Sequence, residues 1–152
     1  MNTFFTTTRL IVRKFEEKDL ENLYLLLSNK DVMKYLEKPF TREHIKEFLN
    51  NNGLTDTPRI YAVEHNKIFV GYIIYHDYDV DSVEIGWVLL PSFWNNGFAS
   101  ELTEEMIKIA KRNNKKVIIE CDKEQITTIL IARKLNFSFV KYVGNLCIFK
   151  LP

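Results

Sequence analysis

The sequence has no surplus of either charge: 21 Lys and Arg stand against 20 Asp and Glu, a formal net charge of +1. Without a basic excess there is no overall field to gather nucleic acid or an anionic membrane, so neither is an expected partner. No stretch approaches the roughly 20 apolar residues that cross a bilayer. The polar start, Met1 to Thr8, also lacks the apolar region of a signal peptide. A cytoplasmic location is expected. Only two cysteines occur, Cys121 and Cys147, in apolar strand-like surroundings without zinc-site or disulfide-framework spacing. Both are expected to be reduced and buried. His44, His65 and His76 are scattered over different segments with no ligand spacing, so no metal is expected and surface or packing roles are the natural reading. There is no internal repeat and no low-complexity tract. With 46% apolar and 27% charged residues, 152 residues can bury one ordinary core, and a single domain over residues 1–152 is expected.

What is present alternates between strand and helix patterns. RLIVRKF, Arg9 to Phe15, reads as a first strand. After an acidic turn, Leu20, Leu23, Tyr24 and Leu27 share a helical face, and a second helix starts near Thr41 with Glu43 in its first turn. The segment NNNGLTDTP, Asn50 to Pro58, is dense in turn residues and reads as a surface loop. RIYAVEH, KIFVGYIIYHDYD and SVEIGWVLLP then read as antiparallel strands at the sheet's centre. Past Pro91, the loop SFWNNG leads to a helix with Ala99, Leu102, Met106, Ile109 and Ala110 on its apolar face. KKVIIECD follows as a buried strand, and strand, helix, strand in this order favours a parallel right-handed crossover. A fourth helix over roughly Glu124 to Leu135 precedes FSFVKYV and LCIFKL, joined by the two-residue hairpin signal Gly144-Asn145.

The strongest chemical signal is Trp94-Asn95-Asn96-Gly97-Phe98-Ala99, set between the end of a strand and the start of an amphipathic helix. The first N–H groups of a helix have no partner inside it and lie at the positive end of its dipole, which suits an anion. Gly97 would let the backbone approach a diphosphate, and Ala99 keeps the first turn small. A single glycine at such a junction is also an ordinary tight turn, and the residues alone leave both readings open.

EIGWVLLPSFWNNGFASE, Glu84 to Glu101, resembles the strand, loop and helix of the GNAT superfamily of N-acetyltransferases. That family's loop usually reads Gln or Arg, two variable residues, Gly, one variable residue, then Gly or Ala. Trp94 stands in the first position, as is typical of the branch that acetylates ribosomal-protein amino termini. TTRLIVRKFEEKDLENLYLLLSNKDVMKYL resembles the same branch, and the likeness runs from about Thr7 to Phe139. The resemblance implies an α/β (α+β) GNAT fold: a mixed central sheet of about six or seven strands, splayed between the fourth and fifth, with about four helices. It also implies acetyl-CoA as the acetyl donor and an amine acceptor, in a monomer or homodimer.

By the same resemblance, Trp87, Val88 and Leu89 would align the pantetheine arm, with the N–H near Leu89 polarising the acetyl carbonyl. Trp94, Asn95, Asn96, Gly97, Phe98, Ala99 and Ser100 would hold the phosphates. The family's Asn and Ser on the fourth helix fall on Gln125 and Thr128. Its Leu-Gly-Phe close becomes Leu135-Asn136-Phe137, with asparagine able to take a left-handed cap. Asn95, where that branch often has glycine, also tolerates unusual backbone angles.

Glu84 is the candidate general base. It alternates with Gly86 and Val88 on one strand face, so the glycine would leave room beside the carboxylate for an amine, and proton removal could pass through a water. A carboxylate on a solvated sheet face is the bland alternative. Tyr35, Tyr75 and Gly86 are candidate acceptor contacts. Phe40, Tyr61 and Trp87 join them as aromatics that could line a pocket or simply pack the core. Many family members protonate the departing thiolate with a tyrosine where this chain has Ala132. Cys121 has no histidine partner discernible nearby and is set aside as a nucleophile. Three functions follow: acetylation of a peptide amino terminus, acetylation of a small amine such as a polyamine, aminoglycoside or amino acid analogue, or silent acyl-CoA binding. Acceptor choice is expected to lie in loops such as Tyr35 to Pro39 and Asn50 to Pro58. The final hairpin could extend a partner's sheet or close the monomer.

Overall fold

The computed structural model of the chain describes residues 2–36 and 39–152; Glu37 and Lys38 of the expected acceptor loop lie outside them. The chain forms two compact units, one reaching Ile74 and resuming over Trp87–Phe98, the other made of Tyr75–Gly86 and Ala99–Pro152. No described helix is long and apolar enough to cross a membrane.

The first unit opens with β1 (Thr3–Thr6) and β2 (Ile11–Arg13), then α1 (Leu20–Leu27), α2 (Lys30–Met33) and α3 (Arg42–Asn52). It continues with β3 (Ile60–His65) and most of β4 (Ile68–Asp77). β1, β2, β3 and β4 pair antiparallel in sequence order. Helix starts follow capping chemistry: Thr41 accepts from the His44 amide, and Asn29 accepts from the amides of Asp31 and Val32. Leu23, Leu26 and Leu27 of α1 and Ile45 and Leu49 of α3 bury against Ile60, Ala62, Phe69 and Tyr72 of the strands.

In the second unit the start of β5 (Ser82–Leu89) runs parallel to β6 (Lys116–Asp122), with most of α4 (Phe98–Arg112) between them in the chain. α5 (Ile126–Lys134) then leads to the antiparallel hairpin β7 (Ser138–Val143) and β8 (Leu146–Leu151), whose β8 pairs with β6. Gly144 takes φ +60 at the hairpin turn and Asn136 takes φ +71 after α5, the conformations that their residue types allow. Strand pairing follows the order β1-β2-β3-β4-β5-β6-β8-β7 in one mixed sheet. The β5–β6 register covers Ser82↔Lys116, Val83↔Val117 and Glu84↔Ile118 and ends there, while β5 continues to Leu89.

The mixed α/β architecture is as expected, with eight strands and five α-helices among the described residues rather than about six or seven and about four. The added strand lies in the polar start, where Phe5 turns inward and pairs across to Val12. The added helix is the single turn α2, nucleated by the Asn29 cap. α3 also overruns the expected loop through Asn52, and Gly53 ends it by donating to the Leu49 carbonyl. Leu54 then packs against the core, so that loop is only partly at the surface.

Candidate active site

In the first unit, β5 ends at Leu89 and the chain turns through a short 3-10 segment, Pro91–Phe93, into the exposed loop 94–97. Three ties fix this turn. The Leu90 amide donates to the Val70 carbonyl at 2.8 Å, and the Trp94 amide donates to Pro91 at 3.1 Å. The Trp94 indole Nε1 donates to the Leu89 carbonyl at 2.8 Å, while the residue as a whole is 43% exposed. Asn95 (φ 62) and Gly97 (φ 83) both take left-handed backbone conformations, which turn the chain sharply just before Phe98 begins α4. Val88 and Leu89 are buried, whereas Asn95, Asn96 and Gly97 are exposed.

The sequence reading missed two residues that shape this region. Gly71 on β4 lies so near β5 that a Cβ there would stand 2.1 Å from the Val88 carbonyl oxygen. Any side chain would push the strand end away, and the signal was only an unremarked glycine inside a strand. Arg9, just before β2, stacks its guanidinium 4.4 Å over the Phe98 ring, and its Nη2 is the nearest group to a Cβ built on Gly97, at 3.3 Å. His65 helps to fix this arrangement. Its ring lies 5.0 Å from Phe98, and its Nδ1 donates to the Arg9 carbonyl at 3.0 Å. A cation, a glycine and the start of a helix thus meet, which is the donor set an anionic phosphate needs. Arg9 is 88 residues before Gly97, so no local pattern could pair them.

Ala99 and Ser100 are half-buried in the first turn of α4, and the Ala99 carbonyl accepts the Thr103 hydroxyl at 2.6 Å. Gln125 caps its own loop, its Oε1 accepting from the Asp122 amide at 2.8 Å, which leaves its amide NH2 as the group to offer a ligand. Thr128 is half-buried on α5, and Ala132 is fully buried.

In the second unit, Glu84 sits on β5 with its side chain 21% exposed and an Oε1 3.8 Å from His76 Nε2, which is 13% exposed. Near them the Tyr78 hydroxyl is raised above its ordinary pKa, by loss of solvent first and then by its hydrogen bond to Glu120 and the charges of Glu120, Glu84 and Asp79. Tyr75 is half-buried with its hydroxyl oxygen out of solvent contact. Gly86 and Trp87 are half-buried on β5.

Tyr35 belongs to the first unit, following α2, with the Lys34 ammonium 5.2 Å from its ring. Phe40 packs on His44 and Phe48, and Tyr61 packs on Phe4 with its ring centre 4.4 Å away. Cys121 is buried opposite Cys147, and burial first, then the neighbouring Cys147 and Asp122, push its thiol up to about 11. A thiol so reluctant to ionise is a poor nucleophile.

Residues 9–138 match the family model described as an acetyltransferase (GNAT) domain. The chain is 32% identical over 136 residues to an uncharacterized N-acetyltransferase, YnaD, of Bacillus subtilis (strain 168), covering 86% of this chain and 80% of that one. Its structure is similar to that of a GNAT-family acetyltransferase from Bacillus anthracis, with TM-score 0.86, 30% identity and coverage of 99% and 98% of the two chains. It also shares its fold with RimL, a ribosomal L7/L12 alpha-N-protein acetyltransferase in complex with coenzyme A. There the TM-score is 0.81 at 19% identity, over 99% of this chain and 97% of that one.

Proposed function

The chain belongs to the GNAT acetyltransferase family, and on that premise we propose that it moves an acetyl group from acetyl-CoA to a primary amine, with a protein amino terminus as acceptor. The observation that carries the reading is the loop between β5 and α4. Asn95 and Gly97 take left-handed turns, α4 begins at Phe98, and the Arg9 guanidinium stands where a Cβ on Gly97 would point. A diphosphate fits such a place, because the first amides of a helix have no partners inside it and Arg9 adds a full positive charge. Trp94, Asn95, Asn96, Gly97, Phe98, Ala99 and Ser100 would form that grip. Trp87, Val88 and Leu89 would align the pantetheine arm, with Gln125 and Thr128 as polar contacts to it. Leu89 would direct its N–H at the acetyl carbonyl.

Amine attack needs a neutral nitrogen held against the thioester carbon. Glu84, partly shielded on β5, is the residue that draws the proton from the ammonium, and Gly86 and Tyr75 would border the acceptor. The new C–N bond forms as the C–S bond breaks, and the electron pair leaves on sulfur. A thiolate is stable enough near neutral pH to depart without an acid, which suits a chain with a buried alanine where many relatives carry tyrosine. Direct transfer in a ternary complex needs no enzyme nucleophile, in keeping with the inert setting of Cys121.

A second acceptor class has its own support. The Tyr78 hydroxyl is raised by loss of solvent first, and then by its hydrogen bond to Glu120 and the charges of Glu120, Glu84 and Asp79; acidic side chains so grouped suit a polyamine. Isothermal titration with acetyl-CoA, followed by free-CoA release with a peptide amine and with spermidine, tests the whole reading. The expected result is binding, followed by turnover that favours the peptide. Preference for spermidine moves the acceptor to the small amines, binding without turnover leaves a silent acyl-CoA module, and no binding ends the proposal. Cytoplasmic location and a single functional domain are part of the same reading.

A further inference from the structure

The two strands of the final hairpin have opposite surroundings. β8 pairs with β6 on one side and β7 on the other. Its consecutive residues Cys147, Ile148 and Phe149 are all buried, so both of its faces are covered, since successive side chains point to opposite faces. β7 pairs with β8 alone and stands last in the strand order among the described residues. All six of its residues, Ser138 to Val143, are exposed. An edge strand of this kind offers its outward N–H and C=O groups to another chain.

The side chains suit the same partner. Phe139, Val140, Tyr142, Val143 and, across the turn, Leu146 are 37% to 64% exposed. Residues directly opposite each other share a face, so Phe139 and Tyr142 lie on the face of Phe149 and Cys147, with their rings 4.8 Å apart. Lys141 and Val143 lie on the other face, with Ile148 and Leu146. A molecule resting on one face of the hairpin would leave the other bare, whereas a strand added beyond β7 covers both. At these exposures the five apolar side chains offer roughly 400 Å² of surface. A standard interface takes about 800 Å² from each partner, about 56–58% of it apolar, so the patch has close to the apolar area that one stable contact uses.

We propose that β7 is a homodimer interface, in which the β7 strands of two copies pair antiparallel about a two-fold axis and join their sheets edge to edge. Two identical edges close the assembly at two chains. A head-to-tail array would instead set β7 against β1, which has four residues to its six. The bulge between Phe139 and Lys141 and the lysine itself are features that limit pairing at an edge, and here they narrow the choice of register. A two-fold through Lys141 opposes like charges, which destabilises a strand pair. A two-fold through Val140 sets each Lys141 opposite the partner subunit's Phe139, whose ring attracts the cation.

Sedimentation equilibrium of the full chain over a wide range of concentration tests this. The wild type should fit a monomer–dimer equilibrium with a dimer of twice 18.0 kDa. Val140→Lys brings two charges together at the axis and removes two apolar side chains from the contact, so its dimer dissociation constant should rise about tenfold or more. Its far-UV circular dichroism should match the wild type, because the residue is exposed in the single chain. Val140→Thr, neutral and still β-branched, should remain dimeric. Amide hydrogen exchange on the wild type gives a reading that needs no variant: β7 amides should be protected at high concentration and lose that protection on dilution, and if Val140→Lys does not fold this measurement decides. A wild type of 18.0 kDa at every concentration overturns the proposal and leaves β7 to a strand of another protein. Masses that keep growing with concentration overturn it in favour of head-to-tail pairing, and a folded Val140→Lys protein that dimerises as tightly as the wild type places the interface elsewhere.

Discussion

The indole of Trp94 donates to the main-chain carbonyl of Leu89, 2.8 Å away, so the first residue of the loop is bolted to the last residue of the strand before it. The position where the family usually places Gln or Arg therefore works here through a ring nitrogen. Its reach fixes how sharply the chain turns before α4. Trp94→Phe keeps an aromatic surface and removes the donor. One neutral hydrogen bond is worth about 1 kcal/mol, so acetyl-CoA should bind roughly fivefold more weakly while the protein stays folded. Calorimetry and a melting curve on the same sample check both halves, and unchanged affinity would mean that the loop holds its turn without the ring.

Gly71 sets the other side of that strand end. A Cβ at this residue would overlap the Val88 carbonyl oxygen at 2.1 Å, and the backbone φ of +152 is one that L side chains rarely adopt. Gly71→Ala should cost about 3 kcal/mol, as severe overpacking does. The shift falls on Val88 and Leu89, so acetyl-CoA affinity should drop with stability. Urea unfolding midpoints measure the first effect. A variant as stable as the wild type would show that the strand relaxes freely.

Much of this arrangement was legible in the chain's own pattern. Alternation placed β3, β4, β5 and β6, the 3.6-residue period placed α4, and Gly144-Asn145 marked the last hairpin. Asn95 and Asn136 were identified as residues tolerant of positive φ, and both adopt it. Elements decided by one or two contacts were not legible. β1 depends on Phe5 finding a place opposite Val12, and α2 depends on a single Asn29 side chain capping two amides. In the candidate site, Gly97 was visible because its neighbours in sequence are its neighbours in space. Arg9 was not, since its meaning comes from Phe98, which is distant in sequence.

Arg9 gives a test of what the loop holds. If the guanidinium over Phe98 pairs with a phosphate of acetyl-CoA, Arg9→Gln removes a charge-assisted bond and should weaken binding about tenfold or more at low salt. The gap between variant and wild type should narrow as salt rises, because screening weakens what the charge contributes. S-acetyl-pantetheine has no diphosphate, and its turnover should be the same in both proteins. An equal loss with both donors would instead point to a damaged fold.

Arg13 and Asp19 show how the first unit depends on pH. Both are buried, and the guanidinium meets the carboxylate through two hydrogen bonds of 2.8 Å while also reaching Glu64. Burial alone would raise the Asp19 carboxyl, but the Arg13 hydrogen bonds and charge and the Glu16 amide outweigh it and hold the carboxyl below its usual range. The same contacts hold Arg13 firmly protonated. For a carboxyl lowered by folding, the ionised native state is favoured above the unfolded value of about 3.9, and that contribution is lost as pH falls through the lower folded value. Wild-type stability should therefore decline below about pH 4 with a component that Asp19→Asn lacks. At pH 7 the same variant should cost about 3–5 kcal/mol, since it leaves Arg13 buried without its main counter-ion. Urea midpoints for both proteins between pH 3 and pH 7 should converge toward the acid end, and parallel curves would show that the ion pair does not govern acid stability.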